Sequence, residues 1–144
     1  MKKIFLCLCL LLSACSMNTK QESIVCSTIT HDESVRIDIE YTYDNANKIT
    51  KIEKTVRVYF DEAKLKEKTL QEYYDELEDV EIIGAIYSAE MDIKNNAIIS
   101  ITSIDLSAYD FAKDYFELGN KEEYDDITKL IQEIYALGYY SCKE

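Results

Sequence analysis

The sequence has no proline and no tryptophan, three glycines and a single histidine. Each scarcity removes a class of chemistry. A serine nucleophile elbow needs Gly-x-Ser-x-Gly, which three scattered glycines do not supply, and no Gly-rich turn is present to cradle a phosphate. Zinc sites need several His or Cys ligands, yet His31 stands alone in the turn-like stretch His31-Asp32-Glu33-Ser34. A thiol nucleophile needs a free cysteine beside a histidine, and the cysteines of the domain have other uses, described below. No low-complexity stretch or internal repeat is visible. Basic residues are also scarce: 16 Lys and Arg face 28 Asp and Glu, for a net charge of −12. Phosphate backbones require a basic footprint, so nucleic acid is excluded as a partner. An acidic domain is also repelled by anionic lipid. The charge favours solubility and suits cationic partners.

Long hydrophobic runs are missing too. The apolar run at residues 4–12 is too short to cross a bilayer, which takes about 20 residues. Preceded by Lys2 and Lys3, it has the form of a signal-peptide core, typically about 7–15 residues. Leu12-Ser13-Ala14-Cys15 then resembles the bacterial lipobox, in which cleavage precedes a cysteine whose thiol carries a diacylglyceryl group. Cys7 and Cys9 lie inside the apolar run and leave with the signal. Lipidation at Cys15 makes the chain membrane-anchored rather than membrane-spanning. Cleavage would remove two lysines and no acid, taking the net charge from −12 to −14. The tether that follows carries no apolar periodicity, and seven flexible residues reach roughly 15 Å on average. The expected division is a signal peptide (1–14), the lipidated cysteine with its tether (15–22) and one domain (23–144).

Two further cysteines, Cys26 and Cys142, lie at opposite ends of that domain. Outside the cytoplasm disulfides persist, so the two are expected to pair. The first strand must then lie beside the C-terminus.

Within the domain, residues 24–30 form a short β-like run. Val35, Ile37, Ile39, Tyr41 and Tyr43 alternate with polar residues, the period of a half-buried strand. Asp44-Asn45-Ala46-Asn47 is turn chemistry. Residues 49–60 form a third strand with Ile52, Val56, Val58 and Phe60 on one face. Ile49 is out of phase with them, which predicts a bulge near Lys51. Thr69 and Glu72 have capping-box spacing, ahead of Leu70, Tyr73, Tyr74 and Leu77 on one helical face, and the helix should end near Asp79. Ile83, Ala85, Tyr87, Ala89, Met91 and Ile93 predict a strand face, with Lys94-Asn95-Asn96 as a hairpin turn and residues 97–106 returning. Asn120 and Glu123 are placed to cap a last helix with Ile127, Leu130, Ile131, Ile134 and Leu137 as its stripe, stopped by Gly138. Tyr139 to Cys142 should run out extended. The fold class that follows is a two-layer α+β domain, with an antiparallel sheet of about five strands in the order β-β-β-α-β-β-α against two helices.

Catalytic chemistry is hard to place in this pattern. Asp44-Asn45-Ala46-Asn47 opens like a calcium loop but lacks the central Gly and the terminal Glu. The acidic groups at 75–79 and 122–126 lie on helices or at their ends, as solvated faces do. Paired carboxylates for glycoside hydrolysis cannot be singled out among so many acids. An enzyme is not expected, nor a cofactor or bound metal. Tyrosine is abundant, with 12 copies, and tyrosine is favoured at binding surfaces. Tyr109, Phe111, Tyr115 and Phe116 occupy the one segment, 107–119, without regular periodicity. Functional sites favour such segments, which makes these four the candidate ligand-binding residues.

The lipobox, Cys26 in the first strand, Gly84-Ala85-Ile86-Tyr87-Ser88, Ile104-Asp105-Leu106-Ser107 and the closing Leu137-Gly138-Tyr139-Tyr140-Ser141-Cys142 together resemble the YehR-like family of small bacterial lipoproteins. The resemblance covers nearly all of the chain beyond the signal. It implies a compact α+β domain on the outer face of the cell membrane and no catalytic residue. The expectation is therefore a membrane-anchored extracytoplasmic binding domain. Its partner would be a peptide, a cell-wall fragment or a membrane protein. The alternatives are an envelope-maintenance lipoprotein without a small ligand and a cation-binding accessory protein.

Overall fold

A computed structural model describes residues 20–61, 68–78 and 80–143. The signal, Cys15 and most of the tether lie outside them, as do Lys64, Lys66 and Asp79. Six strands form one antiparallel sheet: β1 (Glu22–Ile29), β2 (Val35–Tyr43), β3 (Ile49–Tyr59), β4 (Ile86–Asp92), β5 (Ala97–Asp105) and β6 (Ser141–Lys143). Their spatial order is β4-β5-β3-β2-β1-β6. Helix α1 (Leu70–Glu78) joins β3 to β4, and α2 (Ile127–Leu137) precedes β6. No helix among the described residues is long and apolar enough to cross a membrane.

The sheet has one strand more than the sequence predicts. Residues 141–143 pair with β1, placing Cys142 directly opposite Cys26. A three-residue strand carries no periodicity, so its sequence reads only as an extended tail. The two sulfurs are bonded at 2.06 Å, and Cys26 is fully buried. β1 also begins two residues before its expected start, with Glu22 already paired to Tyr43.

The expected bulge falls at Thr50. Tyr43 pairs with Ile49 and Thr42 with Lys51, which leaves Thr50 as the extra residue. This shift returns Ile49 to the buried side, where it joins Ile52, Tyr41 and Ile104 in one core. Alternation then gives the sheet two unlike faces. One carries Ile39, Tyr41, Ile52 and Ile104. The other is wet and holds the ion pairs Arg36–Asp38 at 3.0 Å and Lys51–Glu53 at 2.7 Å.

Both helices lie on the apolar face. In α1 the capping box is formed: the Thr69 amide donates to Glu72 at 2.5 Å, and the Glu72 amide to the Thr69 hydroxyl at 3.2 Å. Leu70, Tyr73, Tyr74 and Leu77 are its half-buried stripe, and Tyr73 stacks on Phe60 with ring centroids 4.8 Å apart.

Three expectations need correction. The strand face predicted from Ile83 to Ile93 is shorter, because β4 starts only at Ile86. Ile83 lies in the preceding turn and Ile93 in a 3-10 turn (Ile93–Asn95), and both are exposed. The turn still uses Asn96 at φ +50°, a conformation Asn tolerates. The second correction concerns the last helix. Asn120 and Glu123 cap a 3-10 helix (Lys121–Tyr124), whereas α2 is capped by Asp126, whose carboxylate accepts from Thr128 at 2.9 Å. An acidic cap complements the helix dipole equally well, so two consecutive capping signals compete in the sequence. Finally, Leu137 is 63% exposed, because the chain leaves the helix at Gly138, φ +75°, before another turn can cover it.

Candidate functional site

Residues 107–119 form no helix or strand; side-chain hydrogen bonds set their shape instead. Asp105 turns the chain by accepting from the Ser107 amide at 2.8 Å. Asp114, at φ +35°, accepts from the amides of Leu118 at 2.7 Å and Gly119 at 2.9 Å and from the Tyr109 hydroxyl at 2.9 Å. These donors, the Gly119 amide first, hold its carboxyl below the ordinary aspartate value. The Tyr109 hydroxyl also accepts the Phe116 amide at 3.0 Å.

The four candidate aromatics part company. Tyr109 is 8% exposed and works as an internal strut, edge-on to Phe111 with centroids 5.0 Å apart. Tyr115 is half exposed and lies near Gly84, whose φ of +84° brings the chain ahead of β4 against the segment. Phe111 and Phe116 face two separate clefts that share Tyr124. The smaller, about 230 Å³, lies between Phe111, Ile49 and Leu106, and Lys48, Lys121 and Asp125 rim it. Lys48 and Asp125 pair there at 2.8 Å.

The other cleft encloses about 310 Å³ over the apolar face of the sheet. Its floor is Ile39, Tyr41, Ile52, Lys54, Thr102 and Ile104; its wall is Phe116, Leu118, Tyr124 and Leu130. Tyr124 is fixed by donating its hydroxyl to the Leu118 carbonyl at 2.9 Å, and burial, foremost, raises its pKa. Burial, with Tyr124 and Tyr140 nearby, pushes the Tyr41 hydroxyl up to about 12. It therefore stays protonated as a donor. The cleft lies between α1, which covers the β4–β5 side of this face, and α2, whose Ile127, Leu130 and Ile134 join the core formed by Cys26 and Tyr41.

The sequence reading reached Phe116 but missed the floor. A signal was present: Lys54 interrupts the apolar face of β3 between Ile52 and Val56. Larger depressions, of about 680 Å³ at the β1–β6 edge and 900 Å³ beside Ala85 and Asp105, are more open. Among the described residues, no three His, Cys, Asp or Glu side chains converge as a metal site would require.

Fold and cleft together define a two-layer α+β domain with an aromatic-walled groove on its covered sheet face. No family model matches the sequence, and no curated protein does. Among solved structures it is similar to the NMR structure of the YehR protein of E. coli. The TM-score is 0.58 at 18% identity, over 88% of this chain and 93% of that one. The shared property is the fold.

Proposed function

We propose that this chain is a lipid-anchored extracytoplasmic domain, without catalytic activity, that binds a ligand through the cleft beside Phe116. The observation that carries the reading is the cleft itself: an apolar concavity of about 310 Å³, at the small end of the range of ligand pockets, about 300–1,000 Å³. Signal and lipobox support the location. The Cys26–Cys142 bond supports it independently, since disulfides are rare where thiols are kept reduced.

Location and binding are tested separately. Cys15→Ala should move the protein from the membrane fraction to the soluble fraction, and full retention without acylation would refute the anchor. For binding, the full chain in lipid nanodiscs is screened by thermal shift against peptides, muropeptides, sugars and divalent cations. A ligand at 100 times its dissociation constant adds about 2.7 kcal/mol, or about 10 °C for a domain of this size. A shift with one class identifies the ligand class; silence across the panel favours an envelope-maintenance role.

A further inference from the structure

Acidic residues dominate this chain, 28 against 16 basic ones, yet the covered sheet face reverses that bias. On the inner face of β2, β3 and β5 one residue is charged, and it is Lys54. Its register neighbours are Ile39 and Thr102, and its same-face neighbours along the strand are Ile52 and Val56. Among the described residues seven ion pairs join Lys or Arg side chains to carboxylates, and Lys54, like Arg57, Lys94, Lys121 and Lys143, is in none of them. Lys54 is exposed, so its long stem can lie along the apolar floor while the ammonium stays in solvent.

Two hydroxyls accompany it. Thr102 lies directly across on β5, and Tyr41 lies diagonally on β2. Such diagonal neighbours are about 7–8 Å apart and within reach of long side chains. Neither hydroxyl has a hydrogen-bond partner among the described residues. The cleft lining thus offers one solvent-exposed cation, Lys54, and two unused donors beside otherwise apolar side chains. A negatively charged surface around it disfavours multiply charged anions, which leaves a ligand with a single negative group.

We infer that the cleft takes a small apolar monocarboxylate, with its carboxylate at Lys54 and Thr102 and its apolar body against Phe116 and Leu118. This rests on the reading of the cleft as a binding site. Hydrogen bonds to charged groups are the stronger kind, so removing the ammonium should weaken a carboxylate by about tenfold or more.

The test uses the full-length chain in phosphatidylcholine nanodiscs with labelled isoleucine methyls, titrated with 4-phenylbutyrate and with its neutral isostere 4-phenylbutyramide. The methyls of Ile39, Ile52 and Ile104 should move while those of Ile99 and Ile101, on the opposite face, stay still. The acid should bind at least about tenfold more tightly than the amide. Lys54→Met should erase that preference and Lys54→Arg should restore it. Equal affinity of acid and amide at the cleft methyls, or a preference that survives Lys54→Met, would overturn the anion inference and leave the cleft standing as a binding site. Failure of both compounds to move those methyls would overturn both readings.

Discussion

The Tyr109 hydroxyl donates to Asp114 at 2.9 Å and accepts the Phe116 amide at 3.0 Å. One buried ring thereby fixes both the carboxylate that shapes the aromatic segment and the residue that walls the cleft. Asp114 needs its charge for this role, because it accepts from three donors. Its folded pKa lies below the ordinary value of 3.8. The stabilisation is therefore complete above that ordinary value and is lost as pH falls through the lower folded one. Protection of the Leu118 and Gly119 amides, taken against their intrinsic exchange rates, should be high at pH 7 and fall selectively as the pH drops below 3.8. Asp114→Asn, which tolerates the same backbone, should show fast exchange at pH 7. Exchange that is equally slow in the variant would mean that the charge does not hold the segment.

Reduction of the Cys26–Cys142 bond should destabilise the fold. The bond closes a separation of 116 residues, and native disulfides typically contribute about 2–4 kcal/mol. Urea unfolding with and without dithiothreitol would give the difference. β6 should also detach, seen as loss of protection at the Ser141 and Lys143 amides, which flank the disulfide pair in the ladder with β1. Free thiols at both positions in the non-reduced protein would remove the basis for this expectation.

Ile49 is 1% exposed only because Thr50 bulges out of the ladder. Ile49→Ala should cost about 2–5 kcal/mol, as buried Ile to Ala changes do. Deleting Thr50 should cost less than that, since it removes only the extra residue and leaves Ile49 opposite Tyr43 and in phase with Ile52. Equilibrium denaturation of the two variants checks this; a deletion as costly as Ile49→Ala would show that the bulged residue is itself required.

Gly138 ends α2 at φ +75°, with open space where a Cβ would stand. Gly138→Ala should therefore cost only the backbone term, about 1–2 kcal/mol. Gly138→Asn should cost less, because Asn enters the left-handed region more easily. Melting temperatures of the pair would show the order, and equal stability of all three proteins would count against it.

Much of the fold is legible in the sequence because its signals are local. The alternation of Val35 to Tyr43, the phase error at Ile49, the Thr69–Glu72 box and the stop at Gly138 each lie within a few residues of the feature they specify. Where two such signals stand in series, as Asn120 and Asp126 do, spacing does not rank them, and the cap of α2 is misplaced. The candidate site is only half legible. The aromatics of 107–119 stand out because they lack a period, but their division into strut, wall and exposed ring depends on Asp114 and on Gly84.

The sequence by itself determined the two-layer α+β class, the strand and helix periods and the expectation that Cys26 meets Cys142. Tertiary structure alone decided that residues 141–143 become a sixth strand, that α1 and α2 leave part of one sheet face uncovered, and that Lys54, Thr102 and Tyr41 share that gap. The physical reason is that strand neighbours are chosen by cross-strand pairing between residues far apart in the chain. Lys54 and Thr102 are 48 positions apart in sequence and one ladder step apart in space. No period or cap within either segment encodes that meeting.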